Sequence, residues 1–191
     1  MSDSESDDRT SLEGHLLVAA PELNDPNFAH TVVLIIHHNS EGAFGLVLTH
    51  VTNVSVQQVW SKVSESTCGT RDSIYRGGPV DGPLMALHGN QDIGGNDVIP
   101  GVFYSVAAEH LESLILHNAQ PARYFVGYSG WGEGQLEREL EAGGWLTASA
   151  RPEDLFQVSE GFWEATLRRI AGQSVLKSMG IDDFPRDLSA N

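Results

Sequence analysis

Between Gly14 and Ala148 the apolar residues fall in short runs rich in Val, Ile and Leu, cut by Gly, Pro and Asn. That spacing constrains the chain to many strands and few long helices. Thr31 to His37 is almost unbroken Val, Leu and Ile, the pattern of a central strand covered on both faces. The Asn39 to Ala43 connection, with Gly42, returns the chain into Phe44 to Thr49 and predicts a hairpin, with Gly45 marking a bulge. His15 to Ala20 predicts a strand that stops at Pro21. Further strands are expected at Ser73 to Arg76, Leu84 to His88, Val102 to Val106, Arg123 to Tyr128 and Trp145 to Ala148. Turns are expected around Gly94 to Asp97 and in a glycine-rich stretch between Tyr128 and Gln135.

Helical spacing interrupts these runs irregularly. Ser55 is placed to cap a helix in which Val56, Val59, Trp60 and Val63 share one face. Ala107 to His117 directs Leu111, Leu114 and Ile115 inward, and Gln135 to Glu141 puts Leu136 and Leu140 on one side. Glu153 to Val158 and Phe162 to Ala171 complete the set, the last with Trp163, Leu167 and Ile170 at helical spacing. Hairpins with helices inserted between them argue for the α+β class and against a doubly wound parallel sheet.

With 40% hydrophobic residues in 191, the chain supplies one sizeable core, so residues 14–191 are read as a single domain. Residues 1–13 lack periodicity and carry Asp3, Glu5, Asp7 and Asp8, which predicts a disordered acidic tail. Eleven Lys and Arg against 26 Asp and Glu give a formal net charge of -15. Such a balance repels phosphate backbones, so direct nucleic-acid binding is not expected. Cys68 is the single cysteine and excludes an intrachain disulfide. No apolar run approaches the roughly 20 residues a membrane helix needs, and a cytoplasmic protein is expected.

The usual chemical signatures are absent. Gly127-Tyr128-Ser129-Gly130-Trp131 approaches the G-x-S-x-G elbow but places Trp131 where a glycine lets the turn close. None of the eight histidines has the spacing of four that a zinc helix uses, and Gly130, Gly132 and Gly134 do not make a phosphate-binding loop. Catalytic residues, metal and cofactor are accordingly assigned to none.

Two segments stand out: Arg76-Gly77-Gly78-Pro79-Val80, and Gly127 through Glu137. Together with Gly14 to Pro21, Phe44 to Leu48, Leu87-His88, Gly144-Trp145-Leu146 and Phe184-Pro185, they resemble the bacterial AlgH/YqgE family over about Gly14 to Asn191. The resemblance implies a bifurcated, largely antiparallel and partly barrel-like sheet surrounded by helices. It implies no defined activity, although the family name carries an association with control of alginate transcription. The chain departs from the family pattern at Thr49-His50-Val51, where an Asn-Arg-Pro-like turn is usual, and at Glu133, where Pro is common.

The function expected is that of a non-catalytic interaction or regulatory protein with an unidentified protein partner. The alternatives are a small-molecule or anion binder using the two glycine-rich motifs, and a regulator of transcription. The candidate ligand or partner surface comprises Arg76, Gly77, Gly78, Pro79, Ser129, Trp131 and Gln135. Amides at the start of the Gln135 helix would serve an anion, opposed by Glu133, Glu137 and Glu139 and helped by Arg76 and Arg123 if the fold brings them close. The competing reading makes both motifs tight turns, with Trp131 packed over the core.

Overall fold

A computed structural model describes residues 11–178. Ten strands form one sheet among the described residues: β1 His15–Ala19, β2 Val32–Asn39, β3 Gly42–Val47, β4 Val51–Ser55, β5 Ser73–Arg76, β6 Val80–His88, β7 Asn96–Ile99, β8 Val102–Ser105, β9 Ala122–Gly132 and β10 Trp145–Ser149. Five helices accompany them: α1 Val56–Val63, α2 Ala108–Leu116, α3 Gln135–Glu141, α4 Pro152–Phe156 and α5 Phe162–Ser178. The main path runs β10-β1-β2-β3-β9-β6-β8-β7, and every pairing is antiparallel except that of β5 with β9. The sheet curls: Val98 and Ile99 of β7 come within contact of Gly14 at the start of β1, although the two strands are far apart in the order.

The continuous apolar run of β2 follows from its surroundings. Val32, Leu34 and Ile36 enter the cluster inside the curl, with Leu16, Val18, Leu46 and Phe125, while Val33 and Ile35 enter a second cluster outside it with Leu17, Ala19 and Trp131. Both faces are dry, so no polar alternation is tolerated. A third cluster seats α1 and α2 on the outer face through Val56, Trp60, Leu111, Leu114, Ile115 and Tyr124. On the inner side Trp163, Leu167 and Ile170 of α5 pack against the first cluster. Ser55 caps α1 in a reciprocal box, its Oγ accepting from Gln58 N at 3.3 Å and Gln58 Oε1 accepting from Ser55 N at 2.8 Å.

The fork in the sheet lies on β9. One edge of this long strand pairs with β5 at Tyr124 to Val126 and then with β3 at Ser129 to Gly132, while its other edge carries β6. Gly127 sits between the two pairings with a left-handed φ of 69° and shifts the side-chain phase by one residue. Phe125 and Tyr128 therefore both face the inner cluster, and Trp131 faces the outer one.

Several expectations need correction. The stretch from Ser129 to Gly132, read as part of a turn, is strand, and the turn is confined to Glu133 and Gly134. Glycine lowers strand propensity but here permits close pairing, which overrides it. Asn96 and Asp97, read as turn, begin β7, and β4 was not foreseen because its residues are mostly exposed and polar. The bulge expected at Gly45 is on the facing strand, where the register slips between Ile35 and His37. Of the tail expected at 1–13, residues 1–10 lie outside the described residues. Ser11 and Leu12 bond to His38, through its carbonyl and its Nδ1. The Phe184-Pro185 motif also lies outside the described residues.

Candidate functional site

The fold brings one motif against part of the other. Gly77 lies in the fork itself: its N–H donates to Val126 O at 2.9 Å, and its carbonyl accepts from Val47 N at 2.8 Å and from Ser129 Oγ at 3.1 Å. A Cβ on Gly77 would stand 2.3 Å from Gly127 O, and one on Gly78 would stand 2.2 Å from Tyr128 C and O. These glycines are filled by neighbouring backbone, which explains the motif through packing. Pro79 is exposed at the start of the turn into β6, and Arg76 is exposed with its Nε donating to Gly78 O at 3.2 Å. Ser129 is fully buried with its hydroxyl committed to Gly77.

Arg123, invoked as support for an anion, is committed elsewhere. It is buried, donates to Leu48 O at 2.6 Å and Leu155 O at 2.8 Å, and lies 3.9 Å above the Tyr75 ring. Burial pulls its guanidinium below the ordinary value, opposed by Tyr75.

Trp131 and Gln135 lie apart from this junction, on the outer face. They line a concavity of about 490 Å³ with Phe28, Glu139 and Trp145. The Phe28 ring stands 6.0 Å from Trp131 in a stacked arrangement and 5.4 Å from Trp145 edge-on, and the two indoles meet at 6.1 Å. Both indole N–H groups donate to the same oxygen, Glu139 Oε2, at 2.9 Å, and Gln135 Nε2 donates to Oε1 at 2.9 Å. Gln135 in turn accepts from Gly132 N at 3.1 Å, tying the carboxylate array to the end of β9. Glu22 and Asp25 stand on the rim, and Asp25 Oδ1 accepts from Asn27 N to hold the turn that presents Phe28.

Sequence reasoning found Trp131 and Gln135 and placed Glu139 beside them only as a charge opposing an anion, but missed Trp145, Phe28, Glu22 and Asp25. Trp145 and Glu139 carried a usable signal, since a glutamate four residues beyond Gln135 shares its helical face and a tryptophan just after Gly143-Gly144 follows the end of α3. Phe28 carried none, because it reaches the site from a loop about a hundred residues away in the chain.

Other polar clusters are less suited to a ligand. A concavity of about 680 Å³ lies between Ser11, His38 and Glu137, but it has no aromatic wall and His38 Nε2 already bonds to Glu137 at 3.0 Å. His88 Nε2 and His110 Nδ1 converge on Ser105 Oγ at 2.9 and 3.2 Å. His88 and Ser105 are buried, which leaves a substrate no approach to that hydroxyl. Among the described residues no cluster of three His, Cys, Asp or Glu is arranged to hold a metal, and no helix is long and apolar enough to cross a membrane.

A curled, forked, largely antiparallel sheet with helices on both faces defines a small α+β protein of the AlgH type. The chain belongs to the AlgH-like family, whose model matches residues 16–175. The solution structure of the AlgH protein from Pseudomonas aeruginosa superposes with a TM-score of 0.72 at 26% identity, covering 97% of this chain and 100% of that one. The crystal structure of protein DIP2367 from Corynebacterium diphtheriae gives 0.68 at 26% identity, over 83% and 86% of the two chains. A UPF0301 protein of Chlorobaculum tepidum is 37% identical over 167 residues, covering 84% of this chain and 87% of its own length. One from Streptomyces avermitilis is 34% identical over 194 residues, covering 95% and 96%.

Proposed function

We propose that this chain is a non-catalytic binding protein whose ligand site is the concavity between α3, β10 and the loop at residues 20–31. The observation that carries the reading is the convergence of two indole N–H groups and one amide on Glu139, in a hollow with aromatic walls. Its volume, about 490 Å³, falls in the range of small-molecule sites, which combine apolar walls with a few fixed polar groups. Supporting a binding role over catalysis, the hydroxyl of Ser129 is committed to a backbone carbonyl, and the site's carboxylate is held by neutral donors without an acid or base partner. An anion is disfavoured by the surrounding carboxylates and by the commitment of Arg123 to Leu48 and Leu155. The net charge of -15 counts against direct DNA binding in the same way.

The test is a thermal-shift screen of cationic, neutral and anionic metabolites on the full chain. A ligand present at 100 times its Kd should stabilise by about 2.7 kcal/mol, and loss of that shift in Trp145→Ala places it in this concavity. A panel in which no class raises Tm would sink the binding reading.

A further inference from the structure

Resting on that reading, we infer that the ligand is a small organic cation, an ammonium group on an apolar stem. Three carboxylates, Glu22, Asp25 and Glu139, line the concavity, and among its described lining residues there is no Lys, Arg or His. None of the three forms an ion pair among the described residues. Glu139 is the informative member. Its three partners are neutral N–H donors, so they orient the carboxylate without cancelling its charge, and a negative potential persists at the aromatic wall. Covering such a group with a neutral ligand removes water and returns no compensating charge, which is costly. An anion adds direct repulsion. A cation supplies what is missing, and its apolar stem meets the wall that Phe28 and the edges of the buried Trp131 and Trp145 form. The Glu139 array also aligns Trp131 and Trp145 before binding, so little side-chain entropy remains to be lost there.

The indoles supply an internal assay. Trp131 and Trp145 Nε1 bond to Glu139, whereas Trp60 Nε1 donates to Ser66 O at 3.1 Å, away from the site, and Trp163 Nε1 donates to Ala19 O at 2.8 Å on the inner side of the sheet. Choline and benzyltrimethylammonium, with 3,3-dimethylbutan-1-ol as the neutral isostere of choline and benzoate as an anion, are titrated into the ¹⁵N-labelled full chain. The indole cross-peaks are followed by NMR. The expected result is a saturable shift of the Trp131 and Trp145 signals with the two cations, with Trp60 unmoved. The neutral isostere should bind at least about tenfold more weakly. Asp25→Asn combined with Glu22→Gln, at exposed positions whose turn contacts the new amides can keep, should weaken choline by about three- to tenfold. Equal affinity for the neutral isostere, or a site shift with benzoate, overturns the cation assignment and leaves a binding site in place. Absence of any Trp131 or Trp145 shift at millimolar concentrations of all four probes overturns the cation assignment. Only the broader metabolite screen, coming up empty as well, would remove the site itself.

Discussion

Replacing Gly77 with alanine separates an architectural glycine from a ligand-binding one. The added Cβ would stand 2.3 Å from Gly127 O and 2.8 Å from Leu46 Cδ2, about 1 Å inside ordinary contact in the first case. Gly127 O is backbone, so relief requires β5 and β9 to part at the fork. Three hydrogen bonds are strained by that movement: Gly77 N to Val126 O, Val47 N to Gly77 O, and Ser129 Oγ to Gly77 O. Each contributes about 1 kcal/mol, and overpacking a filled interior costs a further 1–3 kcal/mol or so. The expected destabilisation is therefore about 4–6 kcal/mol, a large fraction of the 5–15 kcal/mol or so that folded domains possess. At about 2–4 °C per kcal/mol for a chain of this size, Tm should fall by at least about 8 °C. Gly172→Ala supplies the opposite sign. Gly172 lies in α5 with nothing within 4 Å of its would-be Cβ, and alanine there should stabilise by about 0.5–1 kcal/mol. Urea and thermal denaturation followed by far-UV circular dichroism measure both. A Gly77→Ala protein within about 1 kcal/mol of wild type would refute the packing account and return the motif to the list of candidate ligand surfaces.

Three further outcomes follow from the same structure. Arg123→Met leaves the Leu48 and Leu155 carbonyls without their buried donor and should cost about 3–5 kcal/mol in urea unfolding. Glu139→Ala strips both indoles of their acceptor and should lower stability by about 2 kcal/mol, with a loss of near-UV circular dichroism from Trp131 and Trp145. Burial, ahead of a smaller lowering from His110, outweighs the raising effect of the Asn90 and Gly94 backbones and holds His88 below its ordinary value of 6.5. The unfolded chain therefore takes up this proton more readily, and the contribution of neutral His88 is complete above pH 6.5 and is lost as pH falls below it. His88→Gln should accordingly lose less stability than wild type between pH 7 and pH 5, as read from urea midpoints at each pH.

What was legible in the sequence was set by local pattern. The helix after Ser55 announces itself through a cap and one apolar face, and β2 through an apolar run that only a doubly covered strand can carry. The parts that were not legible depend on groups distant in the chain. Gly77 reads as a turn residue until β3, β5 and β9 are seen to meet around it, because the reason for its missing side chain is supplied by Val47, Val126 and Ser129. Likewise the candidate surface was named as one group, yet the structure divides it: Gly77, Gly78 and Ser129 fill the fork, while Trp131 and Gln135 belong to the outer concavity.

The placing of Trp131 on the outer face has a local origin. In an unbroken strand Phe125, Gly127, Ser129 and Trp131 would all point to one face, because side chains alternate with a period of two. Phe125 faces the inner cluster, so Trp131 would follow it there, competing for space with Phe44 and Tyr128, whose rings meet at 5.2 Å in a tilted arrangement inside the curl. The left-handed Gly127 breaks the regular alternation and reverses the phase. Trp131 then emerges opposite Ala43 on the outer face, where α3 can bring Glu139 to its indole and β10 can bring Trp145 beside it. The same glycine that forks the sheet thereby builds the aromatic wall of the proposed site. Fork and site are for that reason coupled: a change that restores regular alternation at residue 127 must remove Trp131 from Glu139 even if every strand still pairs.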